Sequence, residues 1–171
     1  MTDVLVKLDL GEEDWLTARI AEFGGKTILL SHHQLFSAFA QIGPAAADGS
    51  FTAYNPNLDA SFQRFAAAGG NKIAAWFWGH EHTLTLYGPH RGLNKGRCVG
   101  HGAIPVLTAP DPNDPRSHIV DPPPVDPVSL AVDDDVYMHD FVILNLAADG
   151  SATADYYQEN SGNTPMWSEP L

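Results

Sequence analysis

Three histidines stand just past two short apolar runs, and their chemistry is that of metal binding. The run Ile73 to Trp78 stops at Gly79 and is followed by His80-Glu81-His82, while the run Thr27 to Leu30 stops at Ser31 and is followed by His32-His33. Imidazole titrates close to neutrality, so it is often already deprotonated and able to donate a nitrogen lone pair. Two imidazoles at i and i+2 beyond a strand reach one ion or two neighbouring ions. Gly79 lacks a Cβ where the chain is expected to turn sharply and to let a ligand approach closely. A single histidine at a strand end is commonly only solvated. The same order of apolar run, small residue and histidine, met twice, makes ligation the stronger reading.

The elements that must position these residues can be read from periodicity. Residues 12 to 23 are predicted to form an amphipathic helix through Trp15, Leu16, Ile20 and Phe23, stopped by Gly24-Gly25. A strand follows over 26–30. Asn55-Pro56-Asn57 opens a second helix, over 57–68, in which Leu58, Phe62, Phe65 and Ala66 share one face before Gly69-Gly70 ends it. The apolar run 73–78, bounded by turn residues, reads as a buried strand. Strand, helix and strand make a βαβ-like unit that sets both histidine-bearing tips on one side of a parallel pair. The C-terminal tips of such strands are where open α/β sheets bind ligands. Phe36 to Ile42 is expected to form a short helix or a lid. Thr83 to Tyr87 alternates with period two and reads as a half-buried strand. Arg97 to Val99 and Ala103 to Val106 suggest further short strands, and 141–146 with 153–157 a hairpin turning at Asp149-Gly150. Seven of the thirteen prolines fall between Pro110 and Pro127. With several aspartates they mark a Pro/Asp-rich loop over 110–135, inside one domain spanning 1–158, with a polar tail over 159–171.

Composition narrows the function classes. A chain of 171 residues with 44% hydrophobic residues is long enough for one domain with a sizeable core. A net charge of −12 argues against a nucleic-acid surface or an anionic membrane surface, both of which call for basic patches. Cys98 is the single cysteine, which leaves neither a disulfide framework nor a cysteine-based zinc site. The N-terminus carries no basic flank with a long apolar core, and no stretch approaches the roughly 18 apolar residues of a membrane helix. A cytoplasmic location is the expectation, with the reservation that an upstream segment could carry a signal.

Leu29-Leu30-Ser31-His32-His33, followed by Gly79-His80-Glu81-His82, resembles the C-terminal half of the calcineurin-like metallophosphoesterases, over about residues 8 to 158. That family carries Asp-x-His, Gly-Asp-x-x-Asp, Gly-Asn-His-Glu/Asp, an isolated His after a strand, and Gly-His-x-His, in that order. The last two are present, and Gly11 to Leu16 resembles the helix that precedes the fourth. The first three are absent: Gly70-Asn71-Lys72 and Gly162-Asn163-Thr164 are not Gly-Asn-His. The resemblance implies an α/β fold, part of an αββα sandwich with a mixed sheet and His-bearing strand ends. It also implies a dinuclear centre of divalent manganese, iron or zinc that hydrolyses a phosphomonoester or phosphodiester substrate. Carried over by position, His32 and His80 would bind one metal and His82 the other. His33 and His101 would face substrate or support the site, and no catalytic leaving-group histidine is identified. The bridging carboxylate would have to come from a partner chain carrying the missing N-terminal half. An exposed sheet edge would otherwise favour self-association.

The remaining polar residues have plainer expectations. Glu81, between two histidines of alternating direction, is expected to face away and be solvated. His90, His118 and His139 are expected at the surface, and Asp133-Asp134-Asp135 as a solvated charge run and not a calcium loop. Arg91 and Arg97 are expected in surface ion pairs in preference to phosphate contacts. The competing reading is a catalytically inactive metal-binding remnant or interaction module. Cupins also use His-x-His, but that motif wants a glutamate about four residues on, and Thr83 to Pro89 contains none.

Overall fold

Alternation along the central strands sends their side chains into two different cores, and this organises the whole molecule. The computed structural model describes residues 6–109 and 118–171. The first elements are α1 (Leu10–Glu22), β1 (Thr27–Leu30), β2 (Phe51–Thr52), α2 (Pro56–Gly69) and β3 (Ile73–Trp78). Short strands follow: β4 (Leu84–Tyr87), β5 (Gly96–Val99), β6 (Val106–Leu107), β7 (Ile119–Val120), β8 (Val125–Asp126), β9 (Val132–Asp133) and β10 (Val136–Tyr137). The chain closes with β11 (Asp140–Leu146), β12 (Ala152–Gln158) and β13 (Trp167–Pro170).

A five-stranded mixed sheet has the order β1-β3-β5-β4-β8. The first three strands run parallel, and β4 is antiparallel to both β5 and β8. On one face, Trp76 and Trp78 of β3, Tyr87 of β4 and Cys98 of β5 join Ile20 of α1 and Leu58, Phe62 and Phe65 of α2. On the other, Ala75, Phe77, Leu84 and Leu86 meet Ala154 and Tyr156 of the antiparallel sheet β11-β12-β13. Helices, mixed sheet and antiparallel sheet thus form three layers of a mixed α/β protein.

Local signals explain the elements closest to the histidines. Asn55 caps α2 by accepting from the amides of Asn57 and Leu58, Pro56 occupies the first turn, and Gly70 closes the helix at φ 59°. Asp9 caps α1 by accepting from Gly11 N. The β11–β12 hairpin turns through Gly150 at φ 85°, as Asp149-Gly150 predicts.

Several expectations need correction. Residues 36–42 form no helix: they run as bends and a bridge from Phe36 to Tyr54, with Leu35, Phe36 and Phe39 buried. β4 is buried along its whole length, because layers cover both faces and strands pair with both edges. Of 103–106 only Val106 enters a strand. The Pro/Asp-rich loop holds β7, β8 and β9, while its part over 110–117 lies outside the described residues. The polar tail supplies β13, which pairs with β12 and buries Glu169. No helix among the described residues is long and apolar enough to cross a membrane.

Candidate metal centre

Parallel pairing of β1 with β3 sets Leu30 opposite Phe77, so the two chains leave the sheet together. Backbone hydrogen bonds then bind the two exit loops to each other. The carbonyl of His32 accepts from the amides of Gly79, at 3.2 Å, and His80, at 2.8 Å, and Ser31 N donates to Phe77 O at 3.0 Å. Ser31 Oγ donates to His33 O and accepts from the indole Nε1 of Trp76, both at 2.8 Å. The small residue before the histidines therefore anchors their loop to the strand below.

These contacts gather His32, His33 and His80. One ligand nitrogen from each lies within 4.8 Å of the other two, and His80 Nδ1 is 3.0 Å from His32 Nε2. The three ring centroids are 4.5 to 4.9 Å apart. Burial lowers the His80 pKa, and positive charge on His33, His32 and His82 lowers it further. Burial and then His32 lower that of His33. Both effects favour neutral imidazole, the form that ligates a metal. Two nitrogens on one ion at ~2.1 Å stand ~3.0 Å apart at an octahedral angle, so the His32–His80 spacing, which is also that of a direct N–H···N hydrogen bond, is compatible with a shared cation.

His82, placed with His32 and His80 by the sequence, is not in this trio; it is half-buried and close enough to influence both His80 and His101 electrostatically. His33, expected to face substrate or support the site, is the third member of the cluster.

Glu81 is not solvated. Its Oε1 accepts from Ser37 Oγ at 2.5 Å, and burial raises its pKa to about 7. Ser37 Oγ in turn accepts from the amides of Phe39 and Ala40. The carboxyl thus braces the histidine loop on the 37–40 segment beneath it. Gly79 has ordinary space for a Cβ, 3.7 Å from Gly100 Cα. The glycine that sterics require is Gly100, where a Cβ would lie 2.0 Å from Glu81 O and 2.4 Å from Gly79 O.

The other candidates separate. His101 is buried at 1% exposure and faces Asp140, not the trio. His90 and His139 each bury their Nε2, whereas His118 is exposed, as are Asp133, Asp134 and Asp135. Arg97 is buried in an ion pair with Glu169, and Arg91 pairs with Asp59 over the Tyr54 ring. Both guanidiniums have the ion pairs expected of them, Arg91 partly exposed and Arg97 buried instead of at the surface. Burial pushes the Cys98 thiol up to about 12, which leaves no thiolate nucleophile there near neutral pH.

Sequence reasoning missed Ser37 and Gly100. Ser37 and Gly100 matter only through contacts across the fold, and no local pattern marks them. His139, expected at the surface, buries its Nε2 instead. No protein-family model matches the chain, and no curated protein shows significant similarity to it.

Proposed function

We propose that this chain carries the imidazole portion of a metallophosphoesterase-type hydrolytic centre, acting on a phosphomonoester or phosphodiester. The observation that carries this reading is the convergence of His32, His33 and His80 at the ends of adjacent parallel strands. Three imidazoles suit zinc, iron or manganese, and ligand type does not choose among them. His32, His33 and His80 would hold one ion, and His82 would contribute to a second. Divalent metals at such centres supply Lewis-acid activation of water and neutralise phosphate charge.

The chain's own contribution is positioning. The His32 carbonyl fixes the Gly79-His80 peptide, Ser31 fixes the His33 backbone, and Glu81 holds the loop from below. Burial of the Glu81 carboxyl against Ser37 turns it away from ligation. No carboxylate joins the His trio among the described residues. A bridging carboxylate and the donors of the three missing signatures would then come from a partner chain. β1 forms an edge of the mixed sheet, and Leu30 at its end is 70% exposed, which favours such a neighbour.

The same lack of a carboxylate in the trio supports the second reading, a metal-binding module without catalysis. Hydrolysis of bis(p-nitrophenyl) phosphate with added Mn²⁺ separates them. The hydrolase reading expects a rate that falls at least ~100-fold in His80→Ala. Equal, measurable rates in the two proteins would discard it, while metal binding without turnover is what both readings give for the chain without the partner's carboxylate.

A further inference from the structure

Among the described residues β11 is the longest strand at a sheet margin, and it is the one without a guard. It borders the sheet β11-β12-β13 and runs seven residues against β12 in unbroken register. A sheet margin presents unpaired amides and carbonyls, which proteins blunt with lysine, proline, a bulge or a short strand. β8 has two residues between Pro124 and Pro127, β13 ends at Pro170, and β1 has four residues behind Lys26. From Phe141 to Leu146, β11 has no charge, no proline and no bulge. Phe141 is 51% exposed, Ile143 43% and Leu146 72%.

The ladder fixes which backbone groups are free. Glu159 N donates to His139 O at one end of the hairpin and Ala147 N to Ser151 O at the other. Antiparallel pairing alternates, so Phe141, Ile143 and Asn145 bond to β12. Val142, Leu144 and Leu146 turn their amides and carbonyls to the open side, where no strand pairs with them among the described residues. An occupant must offer an uncharged extended segment, and β11 is itself such a segment. A two-fold axis beside Ile143 sets Val142 opposite Leu144 of the second copy, so free groups meet free groups on both chains. Ile143 then faces its own counterpart, and Phe141, stacked on Tyr157 at 5.2 Å, faces Asn145. Two chains of net charge −12 repel over most of their surfaces, but along this strip they meet without like charges.

We propose that two copies of this chain associate through β11, antiparallel, joining their three-stranded sheets into one continuous sheet. Strand addition of this kind takes its affinity from main-chain hydrogen bonds and its register from the side chains at alternate positions. The two-fold axis uses up the β11 margin of both copies, so the assembly closes at two. The surface shares no residue with the His32–His33–His80 trio, and its failure would leave the metal centre untouched.

Sedimentation equilibrium of the full chain at about 100 μM should give twice the 18.5 kDa of one copy. Ile143→Lys sets two ammonium groups face to face across the axis and should weaken dimerisation at least ~100-fold, with Zn²⁺ binding unchanged. Ile143→Val should remain dimeric. In hydrogen exchange the amides of Val142 and Leu144 should be protected in the parent and open in Ile143→Lys. Should Ile143→Lys fail to fold, dilution of the parent must open the same two amides. A monomeric parent overturns the proposal: unprotected amides would then leave the margin to a different chain, and protected ones would place another segment of this chain on it. A dimer that survives Ile143→Lys overturns it equally, because its interface lies elsewhere.

Discussion

The residue that most changes the picture of the histidine loop is Glu81. Alternation places it opposite His80 and His82 in direction, and it does point away from them. The segment that receives it, Ser37 to Ala40, is invisible to local pattern because it has no periodic structure. Its fold is set by Ser37 Oγ, which donates to Glu81 and accepts two backbone amides. Glu81→Ala removes this acceptor and leaves the Ser37 hydroxyl buried without it. The expected cost is about 1–3 kcal/mol, read by urea unfolding, with Zn²⁺ affinity weakened through the loop that carries His80. Glu81→Gln keeps an acceptor oxygen and should recover most of that stability. An alanine variant as stable as the parent would show that the brace contributes nothing. The histidines themselves were legible: His32, His33 and His80 follow strands whose composition announces them. That His33 joins His32 and His80 was not legible, because it depends on how two loops are hydrogen-bonded to each other.

At the scale of elements, capped helices and apolar strands read correctly, down to the four-residue β1 and β5, while 36–42 and 103–106 did not. Helix α2 and strand β3 lie within a residue or so of their predicted limits, since capping residues and an apolar run each specify them locally. β4 misled because its alternation of Thr and Leu mimics a strand with one wet face, whereas layers on both sides bury it. Glycine was also misassigned. A turn after an apolar run draws attention to Gly79, yet the close approach is made by Gly100, at the end of the neighbouring strand β5. Gly100→Ala would drive a Cβ into two backbone carbonyls of the histidine loop. Backbone cannot rotate away as a side chain can, so the loop must shift or β5 must separate from it. The expected loss is at least ~2 kcal/mol, together with weaker metal binding. Gly79→Ala, where the space is ordinary, should cost no more than about 1 kcal/mol. Thermal unfolding of the two variants side by side checks this, and equal Tm shifts would refute the steric argument.

Across the whole molecule, the two sheets are joined on one side by a polar connection inside an apolar interface. Arg97 of β5 forms a bidentate pair with Glu169 of β13, at 2.6 and 2.8 Å, and Tyr156 of β12 donates to the same carboxylate at 2.7 Å. Arg97 also donates to the carbonyls of Tyr87 and Gly96, so its charge is well satisfied. Reading Arg97 as a surface residue failed because its partner lies 72 positions away, in the segment taken for a polar tail. Burial alone would raise the Glu169 pKa, but bonds from Arg97 and Tyr156 outweigh it and hold the carboxyl at about 2, below its ordinary 4.5. Between those values the unfolded chain binds a proton that the folded chain refuses. Stability from this group is therefore complete above pH 4.5 and is lost as pH falls through about 2. The depression corresponds to roughly 3 kcal/mol. Tyr156→Phe deletes one of the bonds that favour the charged carboxylate while keeping the packing of the ring. Its Glu169 pKa should rise, and acid unfolding followed by circular dichroism should begin at a higher pH than in the parent. At pH 7 the variant should lose only about 1 kcal/mol. Superimposable acid profiles would mean that Tyr156 does not help to hold the Glu169 charge, and that the acid sensitivity of the sheet junction lies with Arg97 and Lys95, which also pairs with Glu169 at 3.1 Å.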